Sequence, residues 1–294
     1  MEKLKTKIYY QLLVRKRKYQ IPPSKLQKQM LNSQYWDRDK MEAWQLEKFN
    51  QLLYTAKNET AYFRDRQDEF LDKFDDLNSI GLQFPKLTKN IIIAEAASLN
   101  NPNRIEGFKH STSGSTGKPL SVWVSNIAEA HRKARLGRFL NWWGVEPYDR
   151  NVLIVGVNDS YNTRWGNFKN WVRNRKIINV LDLKDETILN YFQLIESFQP
   201  AYIRGYTSGI LQFAKLMQKL DLKFSGNFLK VVIVTAEMLV EDDREFMEEI
   251  FQCKVANEYG AAEFGIMANE CPHGSMHINE ESVLISTDEN QNAI

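Results

Sequence analysis

The sequence predicts an α/β fold built around a mostly parallel sheet flanked by helices. From residue 151 onward, short apolar runs alternate with segments of helical length, which is the pattern of strand–helix–strand crossover units. Two of these runs, Val152–Val157 and Leu229–Val234, are almost wholly apolar, as expected of strands buried on both faces. Helical patterns dominate before residue 100. We therefore expect a helical region over residues 1–100 packed on an α/β core over residues 101–294, together forming one structural domain.

Individual elements follow from periodicity and from capping signals. Helices are predicted by apolar residues at helical spacing, strands by short apolar or alternating runs. Thr88 and Asn126 are candidate N-caps, and Pro22-Pro23 should stop the first helix. The predicted helices span residues 1–20, 38–57, 65–78, 88–98, 127–143, 185–198, 207–220 and 241–251. The predicted strands span residues 104–110, 120–124, 152–157, 177–183, 201–204, 229–234, 253–256 and 283–287.

Composition excludes several classes of protein. The chain has 294 residues and a net charge of +2, so the overall balance does not indicate a nucleic-acid partner. Two cysteines argue against a disulfide-stabilised secreted fold, and we expect a cytoplasmic protein without a signal peptide or membrane span. Residues 1–20 are strongly basic. A solvated helix packed on the protein explains this charge, and weak peripheral contact with an anionic membrane stays open as an alternative.

The segment His110–Leu120 has the composition of a phosphate cradle. It combines hydroxyl side chains, two glycines and a lysine, which supply backbone N–H groups, further donors and a positive charge for an anion. It does not match the nucleotide P-loop, since two residues separate Gly114 from Gly117 and Pro119 follows Lys118. A surface loop without a ligand is the alternative. The residues after it alternate like a strand, so the segment should link two strands.

Polar and aromatic residues follow the predicted strands at their carboxyl ends. In open α/β sheets, ligands bind outside these ends. We expect the segments to lie close together along one edge of the sheet, although strand-to-helix turns favour such residues in any case. The segments are Gly156–Asp159, Gly205–Thr207, Thr235–Glu237 and Asn257–Gly260.

Two motifs resemble those of the adenylate-forming enzymes, the acyl–coenzyme A synthetase superfamily. Thr112–Pro119 is similar to the loop that orders the triphosphate of ATP, and Asn257–Glu263 is similar to the second hallmark, a Tyr-Gly pair followed by an acid. Arg204–Ser208 and Phe264–Cys271 resemble phenylacetate–coenzyme A ligase and the CapK-type capsular polysaccharide biosynthesis proteins. The resemblance covers nearly the whole chain. It implies reaction of a small-molecule carboxylate with ATP to form an acyl-adenylate, then transfer to coenzyme A or another acceptor.

The resemblance also implies roles for individual residues. Lys118 and Glu263 would be catalytic, with Glu263 binding Mg²⁺. The β- and γ-phosphates would be held by Thr112, Ser113, Gly114, Ser115, Thr116, Gly117 and Lys118. The rest of the nucleotide would be contacted by Ala236, Glu237, Asn257, Glu258, Tyr259 and Gly260. The acyl pocket would be bordered by Tyr206, Thr207, Ala261 and Ala262.

Two further expectations concern the end of the sequence. Cys271, His273 and His277 could contribute ligands to a zinc site, since some relatives hold a structural zinc here. Relatives continue into a ribose-binding motif and a C-terminal lid with a catalytic lysine, so we expect an adenylation core truncated before that lid. Two other functions stay open: a non-catalytic nucleotide-binding or scaffold protein, and a membrane-associated partner in polysaccharide assembly.

Overall fold

The computed structural model describes residues 2–16, 19–111, 120–156 and 163–286. The chain forms two compact units, one comprising Met1–Pro22 and Arg132–Ile278, the other Pro23–His131 and Asn279–Ile294. The predicted division at residue 100 stays a prediction.

The first unit contains a seven-stranded sheet with the order β4-β3-β5-β6-β7-β8-β9. The first five strands in this order are parallel, whereas β8 and β9 are antiparallel to their neighbours. The mostly parallel sheet predicted from the sequence is therefore confirmed. The strands are β3 (Asn151–Val155), β4 (Arg175–Asn179), β5 (Tyr202–Tyr206), β6 (Val231–Thr235), β7 (Val255–Ala261), β8 (Gly265–Glu270) and β9 (Met276–Ile278).

Apolar side chains cover both faces of this sheet. Along β6, Val232 and Val234 pack into one core, whereas Val231 and Ile233 pack into another, because successive side chains of a strand point to opposite faces. This explains the unbroken apolar run in the sequence. The helices of the unit are α1 (Glu2–Lys16), most of α7 (Asn126–Trp142), α8 (Arg164–Val172), α9 (Asp185–Phe198), α10 (Thr207–Lys219) and α11 (Glu241–Phe251).

The second unit is mainly helical and carries one hairpin. Its strands β1 (Gly107–Ser111) and β2 (Ser121–Ser125) pair antiparallel, which confirms the prediction that the cradle segment links two strands. Two aromatic and aliphatic clusters form its core, one around Phe74 and the other around Phe63. Its helices are α2 (Pro23–Ser33), α3 (Arg38–Glu59), α4 (Ala61–Arg64), α5 (Leu77–Gln83) and α6 (Lys89–Ala94).

Several predicted elements are wrong or shifted. Residues 65–78 do not form one helix, because Phe70 and Phe74 are buried in the two aromatic clusters and Asp76 caps a separate helix by accepting from the Ser79 N–H at 2.8 Å. Residues 283–286 form no strand. The helix from Thr88 ends at Ala94, although Thr88 does cap it as predicted. The α7 N-terminus is capped by the Ser125 hydroxyl, which accepts from the Ala128 N–H, rather than by Asn126.

The predictions also missed α2, α4, α8, β8 and β9. Most of these elements are short, and β9 has only three residues. Within the described residues, no helix combines the length and the apolar character needed to cross a bilayer.

Candidate nucleotide site at the carboxyl edge of the sheet

The carboxyl ends of β5, β6 and β7 meet at one edge of the sheet. Tyr206 pairs with Thr235, and Thr235 pairs with Glu258, so these three residues form a row across adjacent strands. This register confirms the predicted convergence of three of the four polar segments. Of the fourth segment, Gly156 is described at the end of β3, whereas residues 157–159 lie outside the described residues.

The strand order reverses between β3 and β5. From β3 the chain moves outward to β4, then returns to the other side of β3 and continues through β5, β6 and β7. Ligands of open α/β sheets bind at such a switch point. Gly156 and Tyr206 lie here, and a Cβ added to Gly156 would sit 3.9 Å from the Tyr206 ring. Because Gly156 has no side chain, space remains beside the half-exposed ring of Tyr206.

A buried ion pair joins β5 to β7 just below this edge. Arg204 Nε donates to Glu258 Oε2 at 3.2 Å, its Nη2 donates to Oε1, and the Thr235 hydroxyl donates to Oε1 at 3.0 Å. The Glu258 side chain is 3% exposed. Burial lowers the pKa of Arg204, but the Glu258 carboxylate raises it by more, so the net change in the pKa is upward. Glu258 therefore holds three strands together, and its carboxylate is committed to protein partners.

The turn after β6 is fastened to the N-terminus of α10. The Glu237 carboxylate accepts from the Ser208 N–H at 2.6 Å and from the Ser208 hydroxyl at 3.0 Å, and the Thr207 hydroxyl donates to the Glu237 carbonyl at 3.2 Å. A negative charge is favourable at this end of a helix. Ala236 is exposed and has a φ of +70°, a conformation that costs a non-glycine residue about 1–2 kcal/mol. The contacts on both sides hold it in place.

A β-bulge turns the end of β7 at the Tyr-Gly motif. Tyr259 pairs with Ala268 and Gly260 with Ile266, so the register shifts between them. A Cβ at Gly260 would lie 2.5 Å from the Gly265 carbonyl oxygen, which explains why a glycine stands here. Bulges re-aim side chains and are frequent next to functional sites. Tyr259, directly before the shift, is 46% exposed and offers its ring at the sheet edge.

Glu263 lies in the turn that connects β7 to β8. The turn spans residues 262–264; Ala261 and Ala262 are half-buried, whereas Glu263 is exposed. Arg135 of α7 donates from Nη2 to the Phe264 carbonyl at 3.0 Å and so holds the turn. Asn257, further back on β7, is half-buried, and its N–H donates to Glu270 Oε2 at 2.7 Å.

The predicted phosphate cradle belongs to the second unit. Its residues Thr112, Ser113, Gly114, Ser115, Thr116, Gly117 and Lys118 lie outside the described residues. The hairpin that carries them is described up to Ser111 and from Leu120 onward. Ser111 pairs with Ser121, and their hydroxyls are hydrogen-bonded at 2.7 Å.

The predicted zinc ligands Cys271, His273 and His277 lie at the end of β8, in the turn that follows it and on β9. Among the described residues, no group of three or more His, Cys, Asp or Glu side chains is arranged to hold a metal ion. Cys271 begins a tight turn in which its N–H donates to the Ser275 carbonyl at 2.9 Å. His277 follows on β9, where its ring packs edge-on against Trp142 with centroids 5.4 Å apart. His273 lies exposed within the turn.

Sequence reasoning missed the ion pair between Arg204 and Glu258. We expected Glu258 to contact nucleotide, whereas its oxygens bind Arg204 and Thr235. A signal was present in the sequence. Arg204 interrupts an otherwise uncharged strand in a buried sheet, and a buried charge requires a partner of opposite sign.

Comparison of the fold defines the class of protein. The structure of 2-hydroxyisobutyryl-CoA ligase with 2-HIB-AMP and CoA, captured in the thioesterification state, matches 87% of this chain and 57% of that one, with a TM-score of 0.66 and 18% identity. An open conformation of the same ligase matches 83% of this chain and 60% of the ligase chain, with a TM-score of 0.63 and 18% sequence identity. The chain has the core fold of the adenylate-forming acyl-CoA ligases.

Sequence comparison points to a particular relative. Protein CapK of Staphylococcus aureus is 28% identical over 204 residues, which cover 67% of this chain and 44% of CapK. The chain is therefore similar to CapK in sequence and shares the fold of the adenylate-forming ligases. It spans less than half the length of CapK and up to 60% of the ligase chains. No family model matches it.

Proposed function

We propose that the chain carries the nucleotide-binding core of an enzyme that activates a carboxylate with ATP. A carboxylate oxygen would attack the α-phosphorus, and the bond to pyrophosphate would break, leaving an acyl-adenylate. One observation carries this proposal: Tyr206, the Thr235–Glu237 turn and Tyr259 stand on adjacent strands at the carboxyl edge of the sheet. The fold shared with a ligase crystallised with an acyl-AMP supports it.

The adenine would lie against Tyr259. Its ring is half-exposed beside the bulge, and base–aromatic stacking contributes about 1–3 kcal/mol to binding. Ala236 and Glu237 would border the base, since they are exposed in the turn beside it. Asn257 and Gly260 flank the tyrosine on the same strand. Glu258 would act as a positioning residue, because its ion pair with Arg204 holds the strand that carries Tyr259.

The triphosphate requires cationic and hydrogen-bonding partners. The segment Thr112–Lys118 has the hydroxyls, glycine backbone and lysine suited to the β- and γ-phosphates. Glu263 offers an exposed carboxylate, and Mg²⁺ in nucleotide sites uses one or two carboxylates together with phosphate oxygens. The residues thus fit a magnesium ion, which would offset negative charge as pyrophosphate leaves.

The acyl group would enter at the switch point. Tyr206 is exposed beside Gly156, and Ala261 and Ala262 are small residues near the same edge. Thr207 shapes this region indirectly, since its hydroxyl is bonded to the Glu237 carbonyl. We propose coenzyme A as the first acceptor to examine. The resemblance to CapK-type capsular polysaccharide proteins supports a role in surface-polysaccharide assembly.

Calorimetric titration with Mg·ATP and with AMP tests this proposal. We expect Tyr259→Ala to weaken both ligands about tenfold through lost stacking. Glu263→Ala and Lys118→Ala should weaken Mg·ATP more than AMP, because both residues are assigned to the phosphates and the metal. Tyr35→Ala and Glu245→Ala are matched controls, since both side chains are exposed and neither residue is assigned to the site.

Two results would overturn the proposal. One is the absence of heat of binding for both nucleotides in protein shown to be folded by circular dichroism. The other is equal AMP affinity in Tyr259→Ala and Tyr35→Ala. Either result would favour a scaffold role for the fold.

A further inference from the structure

An exposed aromatic ridge runs along α8. Trp165, Phe168 and Trp171 are 63%, 47% and 59% exposed. Their spacing of three residues places them within one third of the helix circumference. The rings of Trp165 and Phe168 stack at 5.4 Å, and those of Phe168 and Trp171 lie 5.9 Å apart. Contiguous exposed apolar surface of this kind marks an interaction site in a soluble protein.

Helix α1 packs beside the end of α8 and carries an exposed apolar stripe of its own. The buried Thr6 hydroxyl donates to the Val172 carbonyl at 2.7 Å, which fixes α1 beside the end of α8. On the side turned away from Thr6, Leu4, Ile8 and Leu12 are exposed. They recur every four residues and so form a stripe along the helix. We call the three aromatic and three aliphatic side chains together the α1–α8 face.

Lysines lie among the rings of this face. Lys5 Nζ sits 4.1 Å above the Trp171 ring, and Lys169 Nζ sits 5.4 Å above the Trp165 ring. The sequence of α8 contains no acidic residue, and that of α1 contains one acid against five basic residues. The face therefore combines large aromatic groups with a clear excess of positive charge.

We propose that the α1–α8 face docks on the surface of an anionic lipid bilayer. Tryptophan is enriched at the level of the lipid headgroups, where its apolar body and polar edge are both accommodated. Lysine stems can lie along the apolar surface while their ammonium groups reach anionic headgroups. A protein partner is less well suited, because lysine is depleted in protein–protein interfaces. Such docking would bring the enzyme to the membrane.

Vesicle co-sedimentation of the full chain tests the proposal. The lipids are phosphatidylcholine alone and phosphatidylcholine mixed with phosphatidylglycerol. We expect binding to the anionic vesicles, at least about tenfold weaker in the double variant Trp165→Ser/Phe168→Ser. Tyr35→Ser/Tyr54→Ser removes two exposed aromatic groups elsewhere and should bind like the wild type. Lys5→Gln/Lys169→Gln should bind more weakly, and added salt should weaken the wild type.

Three outcomes would overturn the proposal. The wild type could remain in the supernatant with both lipids. The two aromatic double variants could bind equally, which would place the contact elsewhere. Size-exclusion chromatography could show a dimer that Trp165→Ser/Phe168→Ser separates, with no vesicle binding, which would make the face an interface between copies of this chain.

Discussion

Two glutamate–arginine pairs flank strand β7, one at the carboxyl edge of the parallel sheet and the other toward the amino end of the strand. Near the carboxyl end, Glu258 pairs with Arg204 of β5 and also accepts from Thr235. Near the amino end, Glu270 of β8 accepts from Arg244 of α11 at 3.1 Å and from the Asn257 N–H at 2.7 Å. The two carboxylates are similarly enclosed, with 3% and 8% exposure. Their surroundings differ, and the difference indicates what each pair does.

The amino-end pair, Arg244 with Glu270, also supplies hydrogen-bond partners to backbone groups of β7. Arg244 Nη1 also donates to the Val255 carbonyl at 2.7 Å, and the Trp143 indole donates to the Glu270 carbonyl at 3.1 Å. Burial lowers the pKa of Arg244, the Glu270 carboxylate raises it, and the net shift is upward. The carboxyl-end pair instead joins side chains of three strands directly beneath exposed Tyr259 and Tyr206. The same chemistry thus secures the fold at one end and positions the candidate site at the other.

The largest expected effect on stability follows from removing either of the two carboxylates. Glu258→Ala and Glu270→Ala each leave a largely buried guanidinium without its partner, so each should lower the free energy of unfolding by about 3 kcal/mol. Urea denaturation measures both values. The apolar double variant Arg204→Met/Glu258→Leu should recover most of the loss. A cost under about 1 kcal/mol for both single variants would contradict this interpretation.

A smaller effect is expected at the bulge that follows Glu258. Gly260→Ala places a Cβ against the Gly265 carbonyl oxygen, and the resulting displacement should cost about 2 kcal/mol. Gly226→Ala is the control, because an added Cβ there meets no atom within 4 Å. Thermal unfolding compares the two variants. Equal melting temperatures would show that the close approach of β7 and β8 does not require glycine.

The smallest effect is a pH dependence at the amino end of β7. Burial raises the pKa of Glu248. The hydrogen bonds from Lys254 and from the Val255 N–H lower it by more, so the pKa of Glu248 in the folded protein lies below 4.5. A lowered folded-state pKa means stability that is present above pH 4.5 and is lost as the pH falls below it. Glu248→Gln should therefore reduce the acid-induced loss of stability by about 0.5 kcal/mol.

Urea denaturation across this acidic range measures that effect, with Glu245→Gln on the same helix as the control. If Glu248→Gln and Glu245→Gln respond alike to pH, the ion pair with Lys254 does not contribute.

Patterns local in the chain predicted much of the fold. The bounds of α9 and α11 agree with the prediction, because each helix has a full apolar face. The carboxyl-edge convergence was predicted from strand–helix alternation alone. The failures have tertiary causes. Residues 65–78 carry helical spacing, but Phe70 and Phe74 gain more by joining separate aromatic clusters. Helix α8 escaped prediction because its large aromatic residues are exposed rather than buried.

In the candidate site, too, local sequence patterns were predictive, whereas contacts between distant residues were not. The motif placed Tyr259 and Glu263 at the sheet edge, since Tyr-Gly is a local signal and β7 ends there. The role of Glu258 could not be assigned in this way, because its partners Arg204 and Thr235 lie on other strands. The zinc expectation for Cys271, His273 and His277 stays a prediction, and spacing alone did not reveal that His277 packs on Trp142.

The most direct test of the account compares AMP binding in Glu258→Gln and Glu270→Gln. Both substitutions keep the size of the side chain and remove one buried negative charge, so loss of stability alone should affect them similarly. If the carboxyl edge is the nucleotide site, calorimetry should show AMP affinity reduced about tenfold in Glu258→Gln and unchanged in Glu270→Gln. Equal affinities in the two variants, or no binding by the folded wild type, would contradict the account.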